Sequence, residues 1–178
     1  MKSKAVLAFA VPVLMLTMPA VAQDSTRADF EEFCKAMRGR WVGEVIWITD
    51  WEGLGKKGDK VRCYSDNRVT EDGNAILSKF YGGSGSGTAV YFYDAAAREI
   101  KQTVITSGGS TWTTVFHKEN EKWVGIEEGS TPDGEKIEGK IAFSVSDNGN
   151  KHTFSGSLTI GGKRTDELRD VWVRVSDE

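Results

Sequence analysis

The sequence predicts an all-β fold, an antiparallel up-and-down barrel of ten strands with a short N-terminal helix. Two observations carry that expectation. From Gly39 onward the chain reads as short β-strands separated by Gly, Asn, Asp and Ser clusters, with no helix-length interruption. After the first loop every connection is short, and short links make consecutive strands antiparallel neighbours. An open meander of this size would leave two long edges, which closure removes. A two-sheet sandwich is the alternative geometry.

Residues 1–22 read as a signal peptide. Lys2 and Lys4 precede an apolar run from Ala5 to Met18, and Ala20 and Ala22 stand at −3 and −1 of a cut before Gln23. A run of about 14 residues is short for a membrane span. The expected product is a single domain, residues 23–178, periplasmic or secreted and free of the membrane. Without Lys2 and Lys4 it carries 21 basic and 26 acidic residues, net −5, which argues against a nucleic-acid partner.

The helix follows a polar stretch. Asp29 is the expected cap; Phe30, Phe33, Cys34 and Met37 share one face, and Gly39 ends the helix. Such a helix is expected to plug or cover one barrel end. Strand one is Arg40–Thr49, with Trp41, Gly43, Val45 and Trp47 on one face. A loop, Asp50–Lys60, contains Trp51 and Leu54. Strands two to five are Val61–Thr70, Ala75–Tyr81, Thr88–Tyr93 and Glu99–Thr106. Strands six to ten are Ser110–His117, Lys122–Glu128, Lys136–Val145, Lys151–Ile160 and Arg164–Val175. Thr131-Pro132-Asp133-Gly134 and Gly161-Gly162 are strong turn signals. Gly82–Gly87 lacks the lysine and following helix of a phosphate loop, so a flexible hairpin loop is expected there.

Gly39-Arg40-Trp41, opening the first strand after a short helix, resembles the Gly-x-Trp start of lipocalins and other calycins. The longer Gly39-Arg40-Trp41-Val42-Gly43 is similar to the start shared by bacterial lipocalin-like domains of unknown function and by nitrobindins. Tyr93-Asp94 resembles a Tyr-Asp turn of the first group. The resemblance implies a ten-stranded calycin-type barrel and no established activity. It also implies that Trp41 sits at the closed end with a basic residue from the last strand, here Arg174, packed across it in a structural role. Nitrobindins bind haem through a late histidine. Strand ten has none, and His117 and His152 stand beside turns, where they are expected at the surface, so no cofactor is expected.

Cys34 and Cys63 both lie in the exported part. In an oxidising compartment they can pair, closing a loop of about 29 residues worth roughly 3–4 kcal/mol. The alternative is two separate buried thiols. Neither cysteines nor histidines show zinc-site spacing, so no metal is expected.

Catalytic signatures are thin: no Gly-x-Ser-x-Gly and no His-Glu-x-x-His occurs, and Cys34 has no histidine nearby in sequence. No catalytic residue is assigned. Asp170 shares a strand face with Asp166, Leu168, Trp172 and Arg174, and points into the cup or belongs to a charged edge. Six tryptophans, with several Phe and Tyr, are enough to line or fill a cavity. The expected lining is Trp41, Trp47, Tyr81, Phe92 and Trp112, with Lys79, Gln102 and Arg169 as polar anchors for a small apolar ligand. The pocket is expected between strands one, three, four and six and should exceed about 300 Å³. A barrel filled by its own side chains, with Trp51 and Leu54 exposed as a contact patch, is the second expectation. An enzyme is the third; it would need a buried carboxylate facing a void.

Overall fold

A computed structural model describes residues 24–177, so the expected signal peptide lies outside the described residues. The elements are helix α1 (Arg27–Met37), then β1 (Gly39–Ile46), β2 (Lys60–Thr70), β3 (Ala75–Gly82), β4 (Gly85–Asp94), β5 (Glu99–Thr106) and β6 (Thr111–Glu119). They continue with β7 (Lys122–Ser130), β8 (Lys136–Ser146), β9 (Lys151–Ile160), the two-residue β10 (Lys163–Arg164) and β11 (Val171–Ser176). β1 to β9 pair antiparallel in chain order, and β11 inserts between β9 and β1, which closes a barrel of ten strands. β10 is an extra strand on β9. No described helix is long and apolar enough to cross a membrane.

Burial alternates along β1, with Gly39, Trp41, Gly43 and Val45 inward and Arg40 and Glu44 outward, as a closed sheet with one dry face requires. α1 enters one end and fills it. Its buried face is Phe30, Phe33, Cys34 and Met37. Phe33 meets Tyr91, Phe116, Trp123 and Phe143 at centroid distances of 5.6, 5.2, 5.1 and 5.8 Å. Truncating so enclosed a ring typically costs about 3–5 kcal/mol. The cap is Thr26 rather than Asp29: Thr26 Oγ1 accepts from the Asp29 N–H, and the Asp29 carboxylate accepts from the Thr26 N–H, a reciprocal box.

The helix C-terminus is satisfied by the barrel. The Trp41 Nε1–H and the Asn67 side-chain amide both donate to the Met37 carbonyl, at 3.0 and 2.8 Å. His152 Nε2 and Arg174 Nη2 both donate to the Ala36 carbonyl at 3.1 Å. Carbonyls that a helix end leaves without partners thus receive donors from β1, β2, β9 and β11. The Arg174 guanidinium lies 4.5 Å from the centre of the Trp41 ring, where its charge also meets the negative helix end. His152 is therefore buried against Trp41, not at the surface.

Three further expectations change. Gly82–Gly87 is no flexible loop: Gly82 pairs with Gly85 around a two-residue turn at Gly83-Ser84. Its glycines make room, since a Cβ on Gly87 would fall 2.0 Å from the Phe80 ring. Strand ten is broken. Leu168 N–H bonds the Gly156 carbonyl at 2.7 Å, while Lys163–Arg164 and Val171–Ser176 make the ladders on either side. The charged run between them gives no alternating apolar face to hold a regular strand. Strand one stops at Ile46, and residues 47–59 fold across the barrel mouth.

The expected cysteine pair is not found. Cys34 and Cys63 are free, buried thiols. Asn67 is the β2 residue that meets the helix end, and Cys63 stands four residues further along, roughly 13 Å at strand rise. Burial pushes each thiol up to about 11, the charge of Asp170 adding to the shift at Cys63.

Candidate functional site

Above the helix plug the barrel is hollow. A chamber of about 230 Å³ is lined from β1, β2, β3, β4, β5, β6, β9 and β11, more strands than the four expected. A second chamber of about 180 Å³ lies toward the mouth and shares Val45, Trp47, Phe80, Trp112 and Asp170 with the first. Each is smaller than the expected floor of about 300 Å³ for ordinary ligand sites. Indoles dominate the walls: Trp41, Trp47, Trp112 and Trp172 line the larger chamber. Gly43 sets the position of Trp172, because a Cβ there would stand 2.5 Å from the indole.

The mouth is covered. Leu54 is buried, and its carbonyl accepts from Ser84 N–H and Ser84 Oγ, both at 3.3 Å. Trp51 packs on Trp112 at 6.1 Å. Lys57 Nζ pairs with Asp166 at 3.0 Å, an exposed bridge worth little by itself. Trp51 and Leu54 therefore close the barrel and do not form an outward patch.

Four expected lining residues come together: Trp41, Trp47, Gln102 and Trp112. Four do not. The inward set of β3 is Ile76, Ser78, Phe80 and Gly82, so Lys79 and Tyr81 face outward, where Lys79 lies 5.7 Å from the Tyr81 ring and Tyr81 is 52% exposed. In β4 Ala89 and Tyr91 point in and Phe92 points out. Arg169 lies outside, paired with Glu167. A strand inverts every side chain on a one-residue change, so misjudged parity explains the first three.

Two buried acids enter the interior. Asp170 is 8% exposed and lines both chambers. One oxygen has no hydrogen-bond partner, the Ile46 backbone N–H serves the carboxylate, and burial pushes it up to about 6. Of the two positions open to Asp170, the structure takes the inward one. Glu127 was missed; it lines the mouth chamber, and burial pushes it up to about 7. The single Thr114 hydroxyl lies 2.9 Å from Gln102 Oε1 and 3.3 Å from Glu127 Oε1. One hydroxyl proton serves one acceptor. A protonated Glu127 resolves the conflict by donating to Thr114 Oγ1 while Thr114 donates to Gln102. Gln102 Nε2 in turn donates to the Tyr91 hydroxyl at 2.7 Å.

No family model matches the chain, and no curated protein is significantly similar to it. What the interior can do must come from its chemistry. Asp170 meets the condition set for an enzyme, a buried carboxylate at a void. Its neighbour Cys63 is not activated by it, since a carboxylate beside a thiol disfavours the thiolate. Among the described residues no cluster of three or more His, Cys, Asp or Glu could hold a metal ion. The chamber does not fit a haem: its volume is about 230 Å³, His152 Nε2 is bonded to the Ala36 carbonyl, and His117 pairs with Glu119.

Proposed function

We propose that this is an exported, calycin-like domain whose barrel holds one small, mostly apolar molecule. The observation that carries the reading is the aromatic-walled chamber left above a tightly packed helix plug, with one oxygen of Asp170 and the Nε1 of Trp47, both on its lining side chains, lacking hydrogen-bond partners. Native structures leave few buried polar atoms unpaired, and a ligand is one way to complete them. The start at Gly39-Arg40-Trp41 and the Arg174–Trp41 contact support the calycin likeness. Residues 1–22 support export.

The filled-barrel module is the second reading, favoured by the modest volume of the two chambers. One experiment separates the two. Thermal melts of the full mature chain are run with toluene, 2-phenylethanol and phenethylamine, beside an Ala89→Phe variant in which the new ring occupies the chamber. A rise in Tm with at least one probe, quenching of tryptophan emission, and loss of both in Ala89→Phe support binding, because a ligand of the native state stabilises it. No response to any probe, with Ala89→Phe markedly less stable than the parent because its ring finds no room, supports the filled barrel.

A further inference from the structure

We infer that the molecule held in the barrel is a small protonated amine with a one-ring or short alkyl body, its ammonium group at Asp170 and its body among Trp47, Trp112 and Trp172. This rests on reading the interior as a ligand site and specifies what enters it.

The first ground is the carboxylate itself. Asp170 is more than nine-tenths buried, with one oxygen unpartnered. Its nearest arginine in sequence, Arg169, faces outward to Glu167, and no ion pair joins Asp170 to any described cation. A buried carboxylate without a counter-charge is costly, and the cost falls when a cation arrives with donors of its own. An acid would be repelled there. A neutral alcohol could donate to the free oxygen but would leave the charge unbalanced.

The second ground is the wall. The same chamber is bounded by the indoles of Trp47, Trp112 and Trp172, beside Trp41, whose ring is already covered by His152 and Arg174. Indole faces carry negative electrostatic potential and attract cations, most strongly where water is excluded. A lone carboxylate within an indole wall combines charge and polarisable surface suited to an ammonium on an apolar body.

The third ground is size. A void of about 150 Å³ accepts benzene. The larger chamber, about 230 Å³, has room for a ring and a short arm, and little more.

The test compares isosteres on the intact mature protein at pH 7.5 by calorimetry. Phenethylamine, 2-phenylethanol, ethylbenzene and phenylacetate share a ring and differ in the polar end. Phenethylamine is expected to bind at least tenfold more tightly than 2-phenylethanol, with phenylacetate undetectable. Asp170→Asn, which removes an unpaired buried charge and so should fold, is expected to abolish that preference, weakening phenethylamine far more than 2-phenylethanol. Equal affinity for phenethylamine and 2-phenylethanol, or a preference surviving in Asp170→Asn, overturns the amine while leaving a neutral-ligand site standing. Silence from all four probes defeats the ligand site and the amine together. The parent-protein comparison needs no variant, so a failure of Asp170→Asn to fold would not remove the test.

Discussion

The imidazole of His152 lies on the indole of Trp41, ring centroids 3.8 Å apart, and its Nε2–H donates to the Ala36 carbonyl. Stacking and donation fix one neutral tautomer where the helix plug meets the barrel wall. Burial, with a smaller opposing effect from that hydrogen bond, holds the imidazole down to about 4. The unfolded chain takes its proton near 6.5, so the native state is disfavoured as pH falls from 6.5 through 4. The expected loss is about 3 kcal/mol by the bottom of that window. Urea midpoints between pH 3.5 and 7 should show it, and His152→Gln, which keeps a donor for Ala36, should flatten that limb relative to the parent.

Glu127 works in the opposite direction. Its native value, about 7, lies above the unfolded 4.5, so its contribution is full below pH 4.5 and fades as pH rises through 7. The size is again about 3 kcal/mol. Glu127→Gln keeps a donor toward Thr114 and removes the charge. It should leave the protein more stable than the parent at pH 8 and nearly equal at pH 4. A variant that is weaker at pH 8 would reject a protonated Glu127.

Arg174 binds the carbonyls of Ala36 and Gly149 and covers Trp41. Arg174→Ala leaves those groups unpaired and should cost about 3 kcal/mol in denaturant titration. Arg174→Lys retains charge but not the planar fork, and should recover less than half of the loss.

Gly43→Ala drives a methyl into the Trp172 ring. Overpacking of this kind costs about 1–3 kcal/mol, and the displaced indole should shrink the chamber. Probe binding should weaken more than the loss of stability accounts for, which calorimetry on the folded variant would register.

Cys34 and Cys63 should both be silent to a thiol reagent at pH 8 in the native protein and should both react, giving two equivalents, in denaturant. No release of thiol without reductant would restore the disulfide.

The meander, its hairpins and the plugging helix were legible because turn chemistry and strand spacing are local properties. Antiparallel order followed from the short links, and closure from the two long edges an open meander would leave. Parity was harder. In β3 the residues Leu77, Lys79 and Tyr81 alternate with Ile76, Ser78 and Phe80, and both sets contain apolar side chains. The outer face keeps Tyr64, Leu77 and Tyr81 exposed, so hydrophobicity did not mark the inside. Trp123 and Gly125 place Glu127 inward, yet Val124 and Ile126 offered an equally apolar face. Asp170 shares the inward parity of Leu168 and Trp172, but the charged residues around it gave that face no apolar mark. The burial of His152 depends on a helix more than a hundred positions earlier, a relation no local pattern encodes.

The covered mouth has a kinetic consequence. Residues 47–59 are fastened through the Leu54 carbonyl to Ser84, so for a molecule held inside, lifting that loop would widen the way in and out. Entry and escape by that route would share its opening rate, which would scale both equally. Replacing Ser84 by alanine would speed arrival and departure together and leave the equilibrium constant nearly untouched, so that occupancy would be set by the chamber and turnover by the loop.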